Sequence, residues 1–351
     1  MKNKELSKRQ DAILSFIEEK GEASTGPIAE YIQATLGDVT RITISRDLEK
    51  MLELGLLERK GAGRSAYYEL SAQYSVIKKF NVEEYFSVET DQRKIIEKFN
   101  FDIFDRVQNI FSDSERKKLA ELQLIYGKKI QEIPADALKK EIERLNIDFS
   151  WKSSRIEGNT YSLLETEQLI KNQKKADGHT GEEATMILNH KKALEYIREN
   201  KEDLRLISVR KIESIHDLLM EELGITRGIR KTLVRITGTN YLPLDNEFQI
   251  REALEKTCEL VNERTDIFEK AVVLMLFIAY IQPFVDGNKR TSRLCGNALL
   301  QSFESCPLSY RSMDEIEYKK AILLFYEQNN VSYFKELFMK QFEFAVENYF
   351  G

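Results

Sequence analysis

One run of the chain has no polar face. Every position from Ala271 to Tyr280 is apolar, and Ile281 extends the run. A helix apolar on all sides is one buried in a core. Pro283 disfavours helical geometry at Gln282 and ends that helix, and Asp286-Gly287-Asn288 is turn chemistry leading into a second one. Elsewhere the spacing is amphipathic. Gln10 to Lys20 turns Ile13, Phe16 and Ile17 inward, Gly26-Pro27 opens a helix with Ile28, Ala29 and Ile32 inward, and Thr40 to Leu54 buries Ile44, Leu48, Met51 and Leu52 before Gly55 stops it. Leu56 to Arg59 and Ala66 to Leu70 are short strands joined by Lys60-Gly-Ala-Gly-Arg64. Helical periods then recur at Ser114 to Tyr126, Ala135 to Leu145, Glu165 to Lys171, Glu183 to Arg198 and Val209 to Glu222, and finally at Glu315 to Asn329 and Tyr333 to Glu347. Gly228 to Leu244 breaks the rhythm: it is β-branched, interrupted by Gly238-Thr239-Asn240, and predicts a hairpin.

Composition narrows this picture only a little. A chain of 351 residues has room for about two or three domains. Charged residues at 32% and apolar residues at 42% are ordinary for a globular protein, and a net charge of −5 argues against wholesale coating of nucleic acid. Cys258, Cys295 and Cys306 lack ligand-like spacing and suit buried thiols in a reducing cytoplasm. The first residues lack a secretion signal, and 271–281 is too short to cross a bilayer, so the expectation is a cytoplasmic protein without a membrane segment.

The candidate chemistry lies where the apolar helix stops. A loop at a helix N-terminus presents unpaired N–H groups, Gly287 allows close approach, and Arg290 and Arg293 share one helical face three residues apart. This suits a polyphosphate, with Asp286 at the loop mouth for a magnesium ion. These residues resemble the signature of the Fic family, His-Pro-Phe-x-(Asp/Glu)-Gly-Asn-Gly-Arg-x-x-Arg. Pro283, Phe284, Asp286, Gly287, Asn288, Arg290 and Arg293 match it. The resemblance implies binding of ATP and Mg and transfer of AMP to a protein hydroxyl. It places Gly287, Asn288, Lys289, Arg290 and Arg293 on the nucleotide and Asp286 on the metal.

Two positions depart. Gln282 stands where the family has its catalytic histidine, and a carboxamide cannot carry a proton away near neutral pH, so activity is expected to be weak or lost. Lys289 stands at the second glycine, as in the related Doc branch, which transfers phosphate. Two alternatives therefore stay open: a non-catalytic, nucleotide-sensing regulator, and Doc-like phosphate transfer. His179, His190 and His216 read as structural residues on or beside helices.

Upstream, Ser153 through Glu157-Gly158 reads plainly as a helical turn and its stop, and the sole tryptophan, Trp151, as a core anchor. It also resembles the inhibitory motif of Fic proteins, Ser/Thr-x-x-x-Glu-Gly/Asn, whose glutamate pairs with the second motif arginine, here Arg293. Segment 228–244 resembles the Fic flap, where an unidentified protein target adds a strand. The first 72 residues resemble a winged helix-turn-helix, with Arg41, Thr43, Arg46 and Arg64 as the DNA contacts. Charges in that segment nearly cancel, which suits a protein-only scaffold equally well. The aromatic C-terminal helices suit core or a homodimer surface. The expected fold is mainly α, a Fic-type helical core with a β-hairpin flap. The expected layout is a winged helix at 1–72, a helical connector at 73–148, the core with its inhibitory helix at 149–310, and packed C-terminal helices at 311–351.

Overall fold

The computed structural model describes residues 6–350, which hold sixteen α-helices and one small antiparallel sheet. It divides into two compact units. One comprises Met1–Lys79 with Asp105–Lys117, the other Phe80–Phe104 with Lys118–Gly351.

In the first unit, α1 (Lys8–Lys20), α2 (Thr25–Leu36) and α3 (Arg41–Glu53) precede a sheet of β1 (Glu22–Ala23), β2 (Leu57–Lys60) and β3 (Tyr67–Leu70), followed by α4 (Ala72–Ile77). The strand order is β1-β3-β2, with Leu57 opposite Leu70 and Glu22 opposite Glu69. Ile13, Ile17, Ile28, Ile32, Ile44, Leu48 and Met51 form its core, matching the inward positions read from the spacing. β1 was not foreseen, because two residues are too few to show alternation. The helix and hairpin order is compatible with a winged helix.

The second unit contains α5 (Val82–Ser87), then α8 (Ala135–Ile156), α9 (Leu163–Asn172), α10 (Gly181–Glu199), α11 (Val209–Leu219), α12 (Glu247–Glu263), α13 (Ile267–Ile281), α14 (Asn288–Ser302), α15 (Glu315–Gln328) and α16 (Ser332–Phe350); α6 (Ile103–Arg106) and α7 (Asp113–Glu132) span the boundaries between the units. Helix α13 is the axis of this unit. Residues Phe268 to Ile281 are all buried, and α12, α14, α15 and α16 pack around them. Its polar ends are satisfied locally: Asp266 accepts from the N–H groups of Phe268 and Glu269 at 2.9 and 3.1 Å, and Gln282 closes the other end in the left-handed region with φ 52°. Phe325, Phe334, Phe338 and Phe342 are buried in the same core.

Three expectations change. Residues 135–145 and 153–157 are not separate pieces but the two ends of the single 22-residue helix α8, since nothing between them breaks a helix. Trp151 is half-buried, with its indole N–H donating to the Tyr161 carbonyl at 3.0 Å, so it pins the chain leaving α8 rather than filling the core. Segment 228–244 is irregular chain with a turn at Thr237-Gly238 and no strand ladder of its own. Leu242 donates to the Glu97 carbonyl at 2.7 Å, and a lone parallel bridge joins Lys98 to Leu242. Its polar backbone is thus satisfied in part by other parts of the unit and in part by the Arg230 side chain, without a ladder between its arms. Among the described residues no helix is long and apolar enough to cross a membrane.

Candidate functional site

The loop 282–287 is held from inside by two carboxamides. Asn288 accepts from the Phe284 N–H at 2.9 Å and donates to the Phe284 carbonyl at 2.8 Å and to Gln282 Oε1 at 3.0 Å. Gln282 in turn donates to the Ala279 carbonyl at 2.7 Å and to the Tyr326 hydroxyl at 3.2 Å. Both side chains are buried. Asn288, assigned to phosphate from its place in the motif, here staples the loop. Gly287 sits at φ 77°, so the backbone turn favours glycine, and a Cβ there would press on the flexible end of Met220, 2.5 Å away after α11.

Beyond Gly287, no side chain caps α14, which leaves the N–H groups of its first turn facing outward. Arg290 is almost wholly buried. One nitrogen reaches Asp286 Oδ2 at 2.9 Å, while Nε and Nη1 are buried without a partner. Buried guanidinium N–H groups without a protein partner, at a helix start without a side-chain cap, are suited to meeting an anion. Asp286 itself is exposed, its side chain retaining 59% of its accessible surface, as a metal-binding carboxylate at the mouth would be.

Arg293 is fully buried, with Nε and Nη2 engaged and Nη1 buried without a partner. Its Nε donates to Ser153 Oγ at 3.0 Å, and Nη2 donates to the Ser153 carbonyl at 2.8 Å and to Glu157 Oε1 at 3.0 Å; its guanidinium carbon lies 5.1 Å from the centre of the Tyr318 ring. The structure brings Ser153, Glu157, Lys289, Arg290 and Arg293 together, of which the sequence reading paired only Glu157 with Arg293. Lys289 Nζ stands 3.8 Å from the second Glu157 oxygen. Burial pushes the Glu157 carboxyl up, but attraction to Arg293 and Lys289 outweighs this and holds it below the usual carboxylate value. Gly158 follows at φ 98° and lets the chain leave the helix there.

Two residues shape the site without a signal in the sequence. His216 of α11, fully buried, stacks on Phe284 with ring centres 3.7 Å apart, and its Nε2 donates to the Asp286 carbonyl at 3.1 Å. Burial pulls its pKa down to about 4, against a smaller upward pull from that hydrogen bond, so it is a neutral ring at pH 7. Arg230, also buried, grips the loop from the opposite side. Its backbone N–H reaches the Pro283 carbonyl at 2.9 Å, Nε the Gln282 carbonyl at 2.6 Å, Nη1 the Thr232 carbonyl at 2.7 Å, and Nη2 the Leu244 carbonyl. One guanidinium thus ties both arms of 228–244 to the motif backbone. At the far end of that segment Arg93 donates to the Gly238 carbonyl at 2.6 Å and to buried Glu327 at 3.0 Å, and Tyr241 stacks on Tyr280. Nothing in the spacing of the sequence links residues so far apart.

The residues read as DNA contacts lie in the first unit. Arg41 and Arg46 are exposed on α3, Thr43 is half-buried and shares a 2.9 Å hydrogen bond with Thr40, and the Arg64 side chain lies outside the described residues.

Residues 206–300 match the model of the Fic/DOC family. Among curated proteins, the chain is 26% identical over 201 residues to a protein adenylyltransferase Fic of Nematostella vectensis, covering 54% of this chain and 46% of that protein. It is 29% identical over 180 residues to one of Aedes aegypti, covering 47% and 34%. The chain thus spans between a third and a half of the length of these relatives. Among solved structures, Fic-1 from C. elegans superposes with a TM-score of 0.59 at 17% identity over 99% of both chains. A Fic domain containing signaling protein from Bacteroides thetaiotaomicron gives 0.58 at 17% identity, over 66% of this chain and 95% of that one. These structural likenesses establish the fold.

Replacing Arg230 with Met leaves three carbonyls without their donor, and each costs about 1–3 kcal/mol when buried unpaired. Urea unfolding should show a loss of at least that size, with faster amide exchange across 232–244; unchanged exchange there would refute the tethering role. A histidine that titrates near 6.5 when unfolded and about 4 when folded makes the unfolded chain bind the extra proton between those values. Stability should therefore fall as pH drops from about 6.5 to about 4. His216→Gln should flatten that slope, leaving the parts due to His190, whose pKa burial also lowers, and, toward pH 4, to carboxylates held below their usual value such as Glu157 and Glu183; identical slopes would contradict the assignment.

Proposed function

We propose that this chain, whose residues 206–300 match the Fic/DOC family, binds ATP with magnesium at the junction of α13 and α14. Once freed of Glu157, it transfers AMP to a hydroxyl of a protein segment laid along 228–244, at a rate held low by Gln282. The observation that carries the reading is two buried guanidiniums at the start of one helix: Arg290, whose Nε and Nη1 have no protein partner, and Arg293, whose Nη2 is bound to Glu157. A carboxylate offers arginine the same two-oxygen edge as a phosphate, which makes Glu157 a fair occupant of a place meant for one.

The α14 amides, Arg290 and Arg293 would receive the phosphates, and Asp286, with one oxygen on Arg290, would offer the other to magnesium. Bound magnesium would offset phosphate charge and orient the tail. In transfer, the hydroxyl oxygen bonds to the α-phosphorus, the bond to the bridging oxygen breaks, and pyrophosphate leaves. The hydroxyl proton must go to a base. Gln282 is no base, and its amide nitrogen already donates to Ala279 and Tyr326. That same observation favours a second reading, a silent sensor in which nucleotide occupancy alters partner or DNA binding by the first unit.

One assay separates these readings. Label from α-labelled and γ-labelled ATP is followed with the wild type, Glu157→Gly, and Glu157→Gly combined with Gln282→His. The expected result is weak α-label on protein with Glu157→Gly, raised by ~10²–10⁴ when histidine is restored. Strong α-labelling by Glu157→Gly alone would refute the sensor reading, no labelling by the double variant would refute the transferase reading, and γ-label would assign phosphate transfer.

A further inference from the structure

The carboxylate of Glu157 faces two cations, one on each oxygen. Oε1 lies 3.0 Å from Arg293 Nη2 and Oε2 lies 3.8 Å from Lys289 Nζ. Lys289 and Arg293 are four residues apart on α14, so they project from one face, and Glu157 at the C-terminal cap of α8 enters between them. Lys289 is the second residue of α14, in the turn where the helix dipole repels a cation, and Arg290 stands beside it. Of the three cations Lys289, Arg290 and Arg293, two lean on Glu157 and one on Asp286. Lys289 is also the reachable member, its side chain keeping 27% of its accessible surface where the side chain of Arg293 keeps 0%.

We infer that Lys289 is a second hold on the inhibitory carboxylate, so that Glu157 is clasped between Lys289 and Arg293 and leaves only when both contacts are broken. This deepens the reading above and rests on it. The lysine has two roles in sequence. With the brake on, its ammonium binds Glu157; with Glu157 withdrawn, the same ammonium turns to the phosphate tail that replaces it. The side chain standing where the Fic signature has its second glycine thereby sets how firmly the site is closed. It also explains how α8 is fixed at its end, since Lys152 and Arg155 already pair with Glu315 at 3.0 Å on its other side and Lys289 completes the hold at Glu157.

The test uses the full chain and two readouts. Mg-ATP affinity is measured by calorimetry for the wild type, Lys289→Met, Lys289→Arg, Glu157→Gly, and Glu157→Gly with Lys289→Met; amide exchange is followed over 150–160 in the wild type and both Lys289 variants without nucleotide. A partly exposed ion pair is worth roughly one- to fivefold in an equilibrium. Lys289→Met in the wild type should therefore tighten Mg-ATP by up to about fivefold and speed exchange over 150–160. In Glu157→Gly the same substitution should weaken binding, and Lys289→Arg should behave as wild type in both readouts. Weaker binding after Lys289→Met in both backgrounds, or unchanged exchange over 150–160, overturns the inference. If Glu157→Gly takes up no Mg-ATP, the nucleotide reading itself falls, and exchange alone then decides whether Lys289 holds the carboxylate.

Discussion

A guanidinium with no exposed surface must have acceptors, and Arg293 dictates where they stand. Leaving such a charge unpaired costs several kcal/mol, so α14 requires an anion against its second turn at all times. In this structure the C-terminal end of α8 supplies it, through the Ser153 hydroxyl and carbonyl and the Glu157 carboxylate. The end of a helix is a favourable place to meet a cation, because its last carbonyls carry partial negative charge. A site that must hold an anion can exchange one for another more easily than it can stand empty. Glu157 is in this sense both a structural partner and an obstacle to any ligand that wants Arg293.

The loop beside it is rigid before any ligand arrives. Asn288 and Gln282 bond to each other and to the loop backbone, His216 presses on Phe284 and holds the Asp286 carbonyl, and Arg230 takes the carbonyls of Gln282 and Pro283 from the other side. Prearranged dipoles of this kind need no reorganisation when charge arrives. Gln282 fits the scheme as a structural residue: its left-handed backbone closes α13, and its carboxamide is built into the hydrogen-bond chain. The loop is thus held in a fixed shape by the very residue that stands where a proton acceptor is expected.

Much of this was legible in the sequence for a physical reason. An unbroken apolar run too short for a bilayer suits a core helix, a proline and a glycine mark its end, and arginines three apart share a face; α13, the loop and α14 follow from those local rules. The pairing of Glu157 with Arg293 came through the inhibitory-motif resemblance and matches the structure. What stayed hidden was long-range. Arg230 meets its acceptors 52 and 14 residues away, and Arg93 reaches the Gly238 carbonyl across 145, distances that no periodicity encodes. For the same reason the sequence reads 228–244 as a self-paired hairpin, although its backbone finds partners outside the segment at Glu97 and Pro283. His216 was read as structural, which it is, but its contact with the loop depends on how α11 packs against α14.

The central claim is that Glu157 holds the place of a terminal phosphate. Affinities of the wild type and Glu157→Gly for the magnesium complexes of ATP and ADP, and for AMP, measured side by side by calorimetry, test it most directly. The account predicts that removing the carboxylate strengthens ATP binding far more than that of ADP or AMP. An equal gain for all three nucleotides, or none for ATP, would contradict it.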